Sequence, residues 1–416
     1  MKIVIIGGGA AGFFGAINSA ETFPEYEVIL LEKSRTLLSK VRVSGGGRCN
    51  VTHACFNNRQ LAGYYPRGQQ AMPSLLHQFD AAGTVAWFES RGVKLKTEAD
   101  GRMFPTTDSS ETIIQCLMQS AQRAGVQIRT STGVKSVWVR QQEPAPKFDL
   151  LLLDGSVLSC DRILVATGGN PQIQAYHWLA GLTPEPEERP HTIAAPVPSL
   201  FTFHTPASPL LAMAGVSVPR AIVKVAGSKL VQEGALLLTH WGFSGPAILK
   251  LSAWSARELH ERQYRFNLIV NWLPDFHDEG LRQDMHQARE QHPRKTVSGS
   301  HSLFNLPQRL WRQLVTQAGI GEETRWAEVP KKNLNQLIEH LLRGTFAVEG
   351  KSTFKEEFVT CGGIALENID LQSMESKHCK GLYFAGEVLD IDGVTGGFNF
   401  QSAWSTGFIA GKHMGM

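Results

Sequence analysis

The chain opens on an apolar run, residues 3–6, that stops at Gly7-Gly8-Gly9, after which apolar residues recur at helical spacing from Ala10 past Ala16 and Ile17. A second apolar run, residues 28–31, ends in Glu32. Short apolar runs bounded by glycine predict buried strands and a 3.6-residue period predicts a helix, so this stretch reads strand, tight turn, helix, strand. Periodicity predicts further helices near residues 72–79, 84–90 and 111–124, the last opened by Thr107-Asp108-Ser109-Ser110 with Asp108 and Ser109 as caps. Residues 128–139 read as a strand pair with Val134 near its turn. Residues 148–153 and 157–159 follow across Asp154-Gly155, and residues 162–165 form a buried strand leading to Thr167-Gly168-Gly169.

Five prolines between residues 184 and 198 mark a boundary, beyond which the pattern turns to β at residues 199–204, 216–225, 229–239 and 264–270. Residues 281–291, 307–318 and 331–342 then read as amphipathic helices. The chain returns to strand and glycine turn at 358–364 and to a buried strand at 381–390, whose carboxylates Glu387 and Asp390 emerge at its carboxyl end. The glycine-rich stretch 393–401 introduces a last helix running through Ile409.

A chain of 416 residues has room for two domains, or one with a large insertion. Its 42% hydrophobic and 19% charged content is that of a soluble globular protein, and no apolar stretch is long enough to span a bilayer. With a strand starting at residue 2 there is no room for a targeting peptide, so the expected location is cytoplasmic. The six cysteines lack CxxC or metal-ligand spacing and read as reduced thiols, with no metal site. The net charge of +3 is unevenly spread: residues 189–343 hold 18 Lys+Arg against 12 Asp+Glu, the remainder 23 against 26. Arg282, Arg289, Arg294, Lys295, Arg309 and Arg312 cluster in that basic part, as a solvated face or a docking surface for a polyanion.

The spacing Gly7-x-Gly9-x-x-Gly12 suits a dinucleotide pyrophosphate: one glycine for the turn, one for close approach of backbone to phosphate, one for helix–strand packing. The helix start at Ala10 and Ala11 supplies free N–H groups and a positive dipole end. Glu32 would accept hydrogen bonds from ribose hydroxyls, which argues for FAD or NAD. Basic residues follow, Lys33 and Lys40 among them, and then Ser44-Gly45-Gly46-Gly47-Arg48-Cys49-Asn50. Consecutive glycines cost backbone entropy and make sense where backbone passes flat against a planar group or phosphates. Arg48 and Asn50 would then donate to a flavin ring or its substrate. Arg102 either faces substrate or is solvated.

Cys49 and Cys55 resemble the redox pair of flavin disulfide reductases, but five residues separate them instead of four, which favours Cys49 as a packed residue near the flavin. No second GxGxxG follows, so a pyridine nucleotide would have to reach the flavin directly. Glu387 or Asp390 would hold ribityl hydroxyls. The final helix end, Gly397-Phe398-Asn399-Phe400-Gln401, would face the flavin N1/O2 edge and stabilise negative charge there. Val134, Thr167, Gly168 and Gly386 complete the expected cofactor contacts. In the inserted part, His240 beside Thr239 and Ser244 is either a substrate-facing donor or a histidine pinning its turn.

The ordered set GGGAAG, SGGGRCN, ATGG, LLLTHWGFSGPA, TCGGI, YFAGEVLD and GGFNFQ, spread over nearly the whole chain, resembles the bacterial BaiN-like flavoprotein family, which includes aminoacetone-oxidase-like and YhiN-like proteins. The resemblance implies an α/β, glutathione-reductase-type (Rossmann-like) FAD-binding domain at 1–190 and 345–416. A domain inserted at 191–344 would be β-barrel-like over 191–273 and helical over 274–344. Where relatives continue ATGG with a serine- and glycine-rich stretch, this chain has Asn170-Pro171-Gln172 running to Tyr176 and His177, so its substrate side would differ there.

The family's activities diverge: reduction of conjugated C=C bonds, oxidation of small amines, and reduction of uridine to dihydrouridine in ribosomal RNA. The leading expectation is an FAD-dependent oxidoreductase of a small molecule, an NAD(P)H-linked reductase of a conjugated C=C bond with hydride passing through flavin N5. Arg48, Asn50 and His240 would orient the substrate. The alternatives are a ribosomal RNA uridine reductase using the basic insertion, a small-amine oxidase, and a non-catalytic flavin-holding, RNA-binding assembly factor. The sequence leaves the oligomeric state open.

Overall fold

The computed structural model describes residues 1–140, 147–182, 190–352 and 359–416. They form two compact units, Met1–Pro198 with Lys355–Met416, and Ser199–Phe354.

The first unit is built on a five-stranded parallel sheet. Strand β1 (Lys2–Ile6) lies at its centre between Arg162–Val165 and β2 (Glu27–Leu31), with Leu382–Phe384 and Gln127–Arg129 at the edges. Ile3, Val4 and Ile5 are fully buried, which explains the unbroken apolar run: both faces of a parallel sheet are covered. Helix α1 (Ala10–Thr22) packs against the last helix, Phe398–His413, and is buried from Ala11 to Ala20. The two approach so closely that a Cβ on Gly407 would lie 2.7 Å from the Ala11 carbonyl oxygen.

Residues 128–139 are not the expected strand pair. Gln127–Arg129 extends the parallel sheet beside β2, whereas Val134–Arg140 opens a separate antiparallel meander with Lys147–Leu152 and Val157–Cys160. Bonds from Ser131 N–H to Ser34 O (2.9 Å) and from Thr132 N–H to Glu32 O (2.8 Å) carry the chain past the end of β2, so the two strands diverge. Val134 consequently starts the meander, opposite Leu152.

The flanking helices are Met72–Gln78, Ala81–Glu89 and Ser110–Arg123. Asp80 caps the second by accepting the Gly83 N–H (2.8 Å), and Ser109 caps the third. Asp108 instead pairs with Lys96.

Strand Ile193–Ser199 pairs with Val359–Ile364, so the expected junctions at 190/191 and 344/345 move to 198/199 and 354/355. Pro184, Pro186, Arg189 and Phe358 lie outside the described residues.

The second unit holds a closed antiparallel barrel in the order Thr202–His204, Gly242–Ser244, Val231–Leu238, Ser217–Val225, Arg265–Asn271 and Gly344–Ser352. Helices Pro246–Trp254 and Ala256–Glu261 precede its fifth strand, and Asp278–Gln291, Gln308–Gln317 and Lys331–Arg343 interrupt the barrel before its sixth. The barrel therefore is not confined to 191–273, because Gly344–Ser352 is needed to close it. Each helix buries one stripe, Leu337, Ile338 and Leu341 in the last, as its period predicts. Among the described residues no helix is long and apolar enough to cross a membrane.

Candidate functional site

The carboxyl edge of the parallel sheet gathers most of the expected cofactor residues, because β1 runs into Gly7, β2 into Glu32, Arg162–Val165 into Thr167 and Leu382–Phe384 into Gly386. That edge is where open α/β sheets bind ligands.

At the head of α1, Gly7 adopts φ +120° and Gly12 approaches so closely that a Cβ on it would lie 1.9 Å from Gly7 O. The first helical bond runs from Phe13 N–H to Gly9 O (3.0 Å), so the N–H groups of residues 9–12 have no intrahelical acceptor. No side chain caps this end, and nothing lies within 4 Å of where a Gly9 Cβ would stand. A bare strip of donors with open space beside it fits a pyrophosphate. The Glu32 carboxylate accepts the Gly8 N–H (2.8 Å) and the Ser34 N–H (2.9 Å). A carboxylate offers about four lone-pair positions, so room remains for ribose hydroxyls. Lys33 beside it is exposed.

The glycine loop is left-handed throughout, with φ of +58°, +69° and +82° at Gly45, Gly46 and Gly47, after Ser44 leaves helical geometry. A Cβ on Gly45 would press on the Phe104 ring at 2.9 Å, while Gly46 and Gly47 face open space. One packed and one bare side fit a planar group laid against backbone. Cys49 is fully buried, and burial pushes its thiol up to about 12. Cys49 and Cys55 are both free thiols.

Arg48 is engaged within the protein: its guanidinium sits 2.6 Å from Glu98 and 4.0 Å over the Phe104 ring. Arg102 pairs with Glu98 and Asp100. Asn50 is buried, with Oδ1 accepting the Gly397 N–H (2.9 Å) and Nδ2 donating to Thr52 O (3.0 Å). Both side chains expected to donate to flavin or substrate thus support the loop and the last helix.

The head of that helix has Gly396 and Gly397 at positive φ, and its first bond runs from Gln401 N–H to Gly397 O (2.9 Å). The N–H groups of residues 398–400 are therefore without helical acceptors. Gln401 is fully buried, accepting from the hydroxyls of Thr52 (2.6 Å) and Thr84 (3.0 Å) and donating to Ser405 (3.1 Å). Asn399 bonds both the N–H (2.8 Å) and the carbonyl (2.9 Å) of Gly393. Phe400 stacks on Trp404, and the Phe398 carbonyl accepts from Tyr65 Oη (2.7 Å). What this segment offers a ligand is its backbone donors, because these side chains are engaged internally. Sequence reading missed Thr52, Thr84 and Tyr65, which lie more than three hundred residues away along the chain and carry no motif.

A third group joins Lys40 to Glu387 (2.6 Å), whose other oxygen accepts the Thr360 N–H (2.8 Å). Gly169 abuts it, since a Cβ there would lie 2.6 Å from Glu387 Oε1. Thr167 is exposed, Gly168 takes φ +73°, and Gly386 donates its N–H to the Thr406 hydroxyl (2.9 Å). Tyr176 folds its own segment back by accepting the Asn170 N–H (2.8 Å), and burial, then Glu387, raise its phenol to about 12. The half-buried Asp390 follows, its N–H bonded to Ile364 O (2.9 Å).

In the second unit His240 stands exposed, and Thr239, not His240, pins the turn through Gly242. Arg282 pairs with Asp278, while Arg289 and Arg309 donate to the carbonyls of Ala327 and Ala212. Arg294, Lys295, Arg309 and Arg312 are exposed. Among the described residues no group of three His, Cys, Asp or Glu could hold a metal ion.

The family model described as HI0933-like protein Rossmann domain matches residues 1–413. The chain belongs to this family. By family and fold it is an FAD-dependent oxidoreductase with a Rossmann-type cofactor domain. The chain is 26% identical to the 3-dehydro-bile acid Δ(4,6)-reductase of Clostridium scindens, over 99% of this chain and 98% of that one. It is 28% identical to the ribosomal RNA dihydrouridine synthase of Escherichia coli, over 99% and 97%. The solved 3-ketosteroid-Δ4-(5α)-dehydrogenase of Rhodococcus jostii RHA1 shares the fold, with a TM-score of 0.51 at 14% identity over 100% of this chain and 96% of that one.

Proposed function

We propose that this protein is an NAD(P)H-linked reductase of a conjugated C=C bond in a small molecule. The observation that carries the reading is the pair of helix heads at the carboxyl edge of one sheet. The bare donors of residues 9–12 suit a pyrophosphate, and the donors of residues 398–400 suit the electron-rich edge of a flavin. FAD, when bound, supplies two-electron transfer between the nicotinamide and the alkene. Glu32 would accept the adenosine ribose hydroxyls, and residues 45–47 would lie along the flavin. The positive end of the last helix would hold negative charge at the pyrimidine edge. Asn50, Gln401 and Asn399 keep that end in place. The match to a Δ(4,6)-reductase over the full length of both chains supports the alkene as the reacting group.

The test is anaerobic reduction of the purified yellow protein by NADH and by NADPH, then addition of a 3-oxo-4,6-diene bile acid. Reduction by a nicotinamide followed by stoichiometric loss of the diene is the expected result. Purified protein that binds no FAD at micromolar concentration, or that passes no electrons to the diene, overturns the reading.

The exposed Arg294, Lys295, Arg309 and Arg312 favour a second reading, a uridine reductase acting on ribosomal RNA, as the E. coli relative is named. It requires RNA binding that weakens steeply with salt and whose salt slope falls by about 0.7 for each of these charges removed. Binding indifferent to both removes it.

A further inference from the structure

Residues 64–68 clasp residues 391–398 through four separate links. The Tyr64 carbonyl accepts the Val394 N–H (2.9 Å), and the Tyr65 hydroxyl donates to the Phe398 carbonyl (2.7 Å). Arg67 makes a two-pronged ion pair with the fully buried Asp392. Gly68, at φ +78°, lies so close to Ile391 that a Cβ would meet it at 2.9 Å. The clasp fixes Phe398, the first residue of the last helix, and sets two more rings beside it.

Tyr64 and Phe398 have centroids 4.4 Å apart and planes 10° apart; His53 and Phe398 are 4.9 Å and 23° apart. Phe398 is 2% exposed and His53 half-buried, whereas Tyr64 keeps 37% of its surface open. The shelf therefore has a covered back and an open ring in front. The anchor of Tyr64 to the clasp is its backbone carbonyl, so the fold does not call for an aromatic side chain there. A rigidly held, exposed flat ring supplies contact area at little entropic cost.

We propose that Tyr64, backed by Phe398 and His53, is the platform on which the flat conjugated part of the substrate stacks, so that Tyr64 sets the preference for unsaturated over saturated rings. This rests on the reading above, which puts the flavin at the head of the same helix. Conjugated sp² carbons keep a ring system flat, and saturating them puckers it. A planar platform therefore binds the substrate better than its product, which eases release of the saturated product.

The experiment is equilibrium dialysis of the FAD-loaded protein against a 3-oxo-4,6-diene bile acid and against its 4,6-saturated 3-oxo counterpart, with FAD content and melting temperature as controls. The natural protein and Tyr64→Phe should prefer the diene. Tyr64→Ala and Tyr64→Leu should lose about tenfold in diene affinity, roughly 1.4 kcal/mol, with affinity for the saturated acid, FAD content and melting temperature unchanged. Tyr64→Leu keeps apolar bulk without the ring, so it separates stacking from mere packing if Tyr64→Ala unfolds. Unchanged diene affinity in the variants, with the natural protein still reducing the diene, overturns the platform and leaves the parent reading standing. A natural protein that neither binds nor reduces the diene overturns both.

Discussion

The two helix heads in the first unit look alike in sequence, each a glycine cluster before a long helix, yet they are built in opposite ways. The head of α1 is bare: no side chain caps it, and its shape comes from backbone packed on backbone at Gly7 and Gly12. The head of the last helix sits in a cage of polar side chains, Asn50, Thr52, Thr84, Asn399 and Gln401. A phosphate presents equivalent anionic oxygens, so unadorned donors suffice for it. A flat heterocycle must be aligned with a substrate, and alignment needs a helix end that does not shift.

If the first head depends on backbone approach alone, a single methyl should ruin it. Gly12→Ala would put a Cβ 1.9 Å from Gly7 O, and the turn must open. We expect the purified variant to be colourless, with FAD affinity down by at least about a hundredfold, as for loss of several charge-assisted hydrogen bonds. Gly9→Ala meets nothing within 4 Å and should melt like the natural protein, so any loss of FAD there reports the ligand's own space. The flavin-to-protein absorbance ratio of both variants decides it, and a yellow Gly12→Ala protein would refute the bare-backbone account.

This contrast also marks what the sequence could and could not disclose. The α1 head was legible because its parts are contiguous: strand, glycines, helix and the acid ending β2 lie within 32 residues. The second head was legible as a glycine-rich helix start, but its cage was not, since Thr52 and Gln401 are 349 residues apart. The internal partners of Arg48 and Asn50 were illegible for the same reason: Glu98, Phe104 and Gly397 come from other segments. The barrel lost two strands to similar causes. Gly242–Ser244 is too short to show alternation, and Gly344–Ser352 is separated from its neighbour Arg265–Asn271 by three helices. Over 128–139 the expected strand pair with Val134 near its turn failed because the first strand joins the parallel sheet beside β2 while Val134 opens the meander, and pairing between distant segments decides this.

The cage should in turn respond to loss of its centre. Gln401→Leu keeps the volume but takes the acceptor from the fully buried hydroxyls of Thr52 and Thr84, while Ser405 keeps its bond to the Phe79 carbonyl. The expected cost is about 3–4 kcal/mol of stability, read from urea midpoints, because a partly satisfied buried network is worse than none. The variant should still retain FAD better than Gly12→Ala, since the α1 donors are untouched. A Gln401→Leu protein as stable as the natural one would remove the distinction between the heads.

Acid acts on the frame that holds both heads. His191, 2% exposed, bonds the Ser376 hydroxyl at 2.7 Å and packs edge-on against Phe384, the end of an edge strand of the sheet. Burial, and then His378, push its imidazole down to about 4. The unfolded chain takes up that proton near pH 6.5, so between 6.5 and 4 the unfolded state binds more protons. Stability then falls as pH drops through this window and the loss levels off below it. The expected loss is about 3 kcal/mol, and His191→Gln should flatten that part of the urea-midpoint profile. Parallel profiles for the two proteins would show that His191 does not carry the acid sensitivity.

The finest test asks whether the cage holds position or binds ligand. Tyr65→Phe removes one buried hydroxyl, which donates to the Phe398 carbonyl, and leaves every N–H at the helix head in place. A carbonyl inside a helix keeps its backbone donor four residues on, so losing the tyrosine proton should cost only about 1 kcal/mol of stability. FAD affinity should stay within about twofold, because the number of donors facing the cofactor has not changed. The diene affinity proposed for the Tyr64 shelf should be the quantity that moves, since Phe398 carries the ring behind Tyr64 and one of its restraints is gone. Loss of FAD comparable to Gly12→Ala would mean that the second head grips the cofactor as directly as the first, and that rigidity is not what its side chains provide.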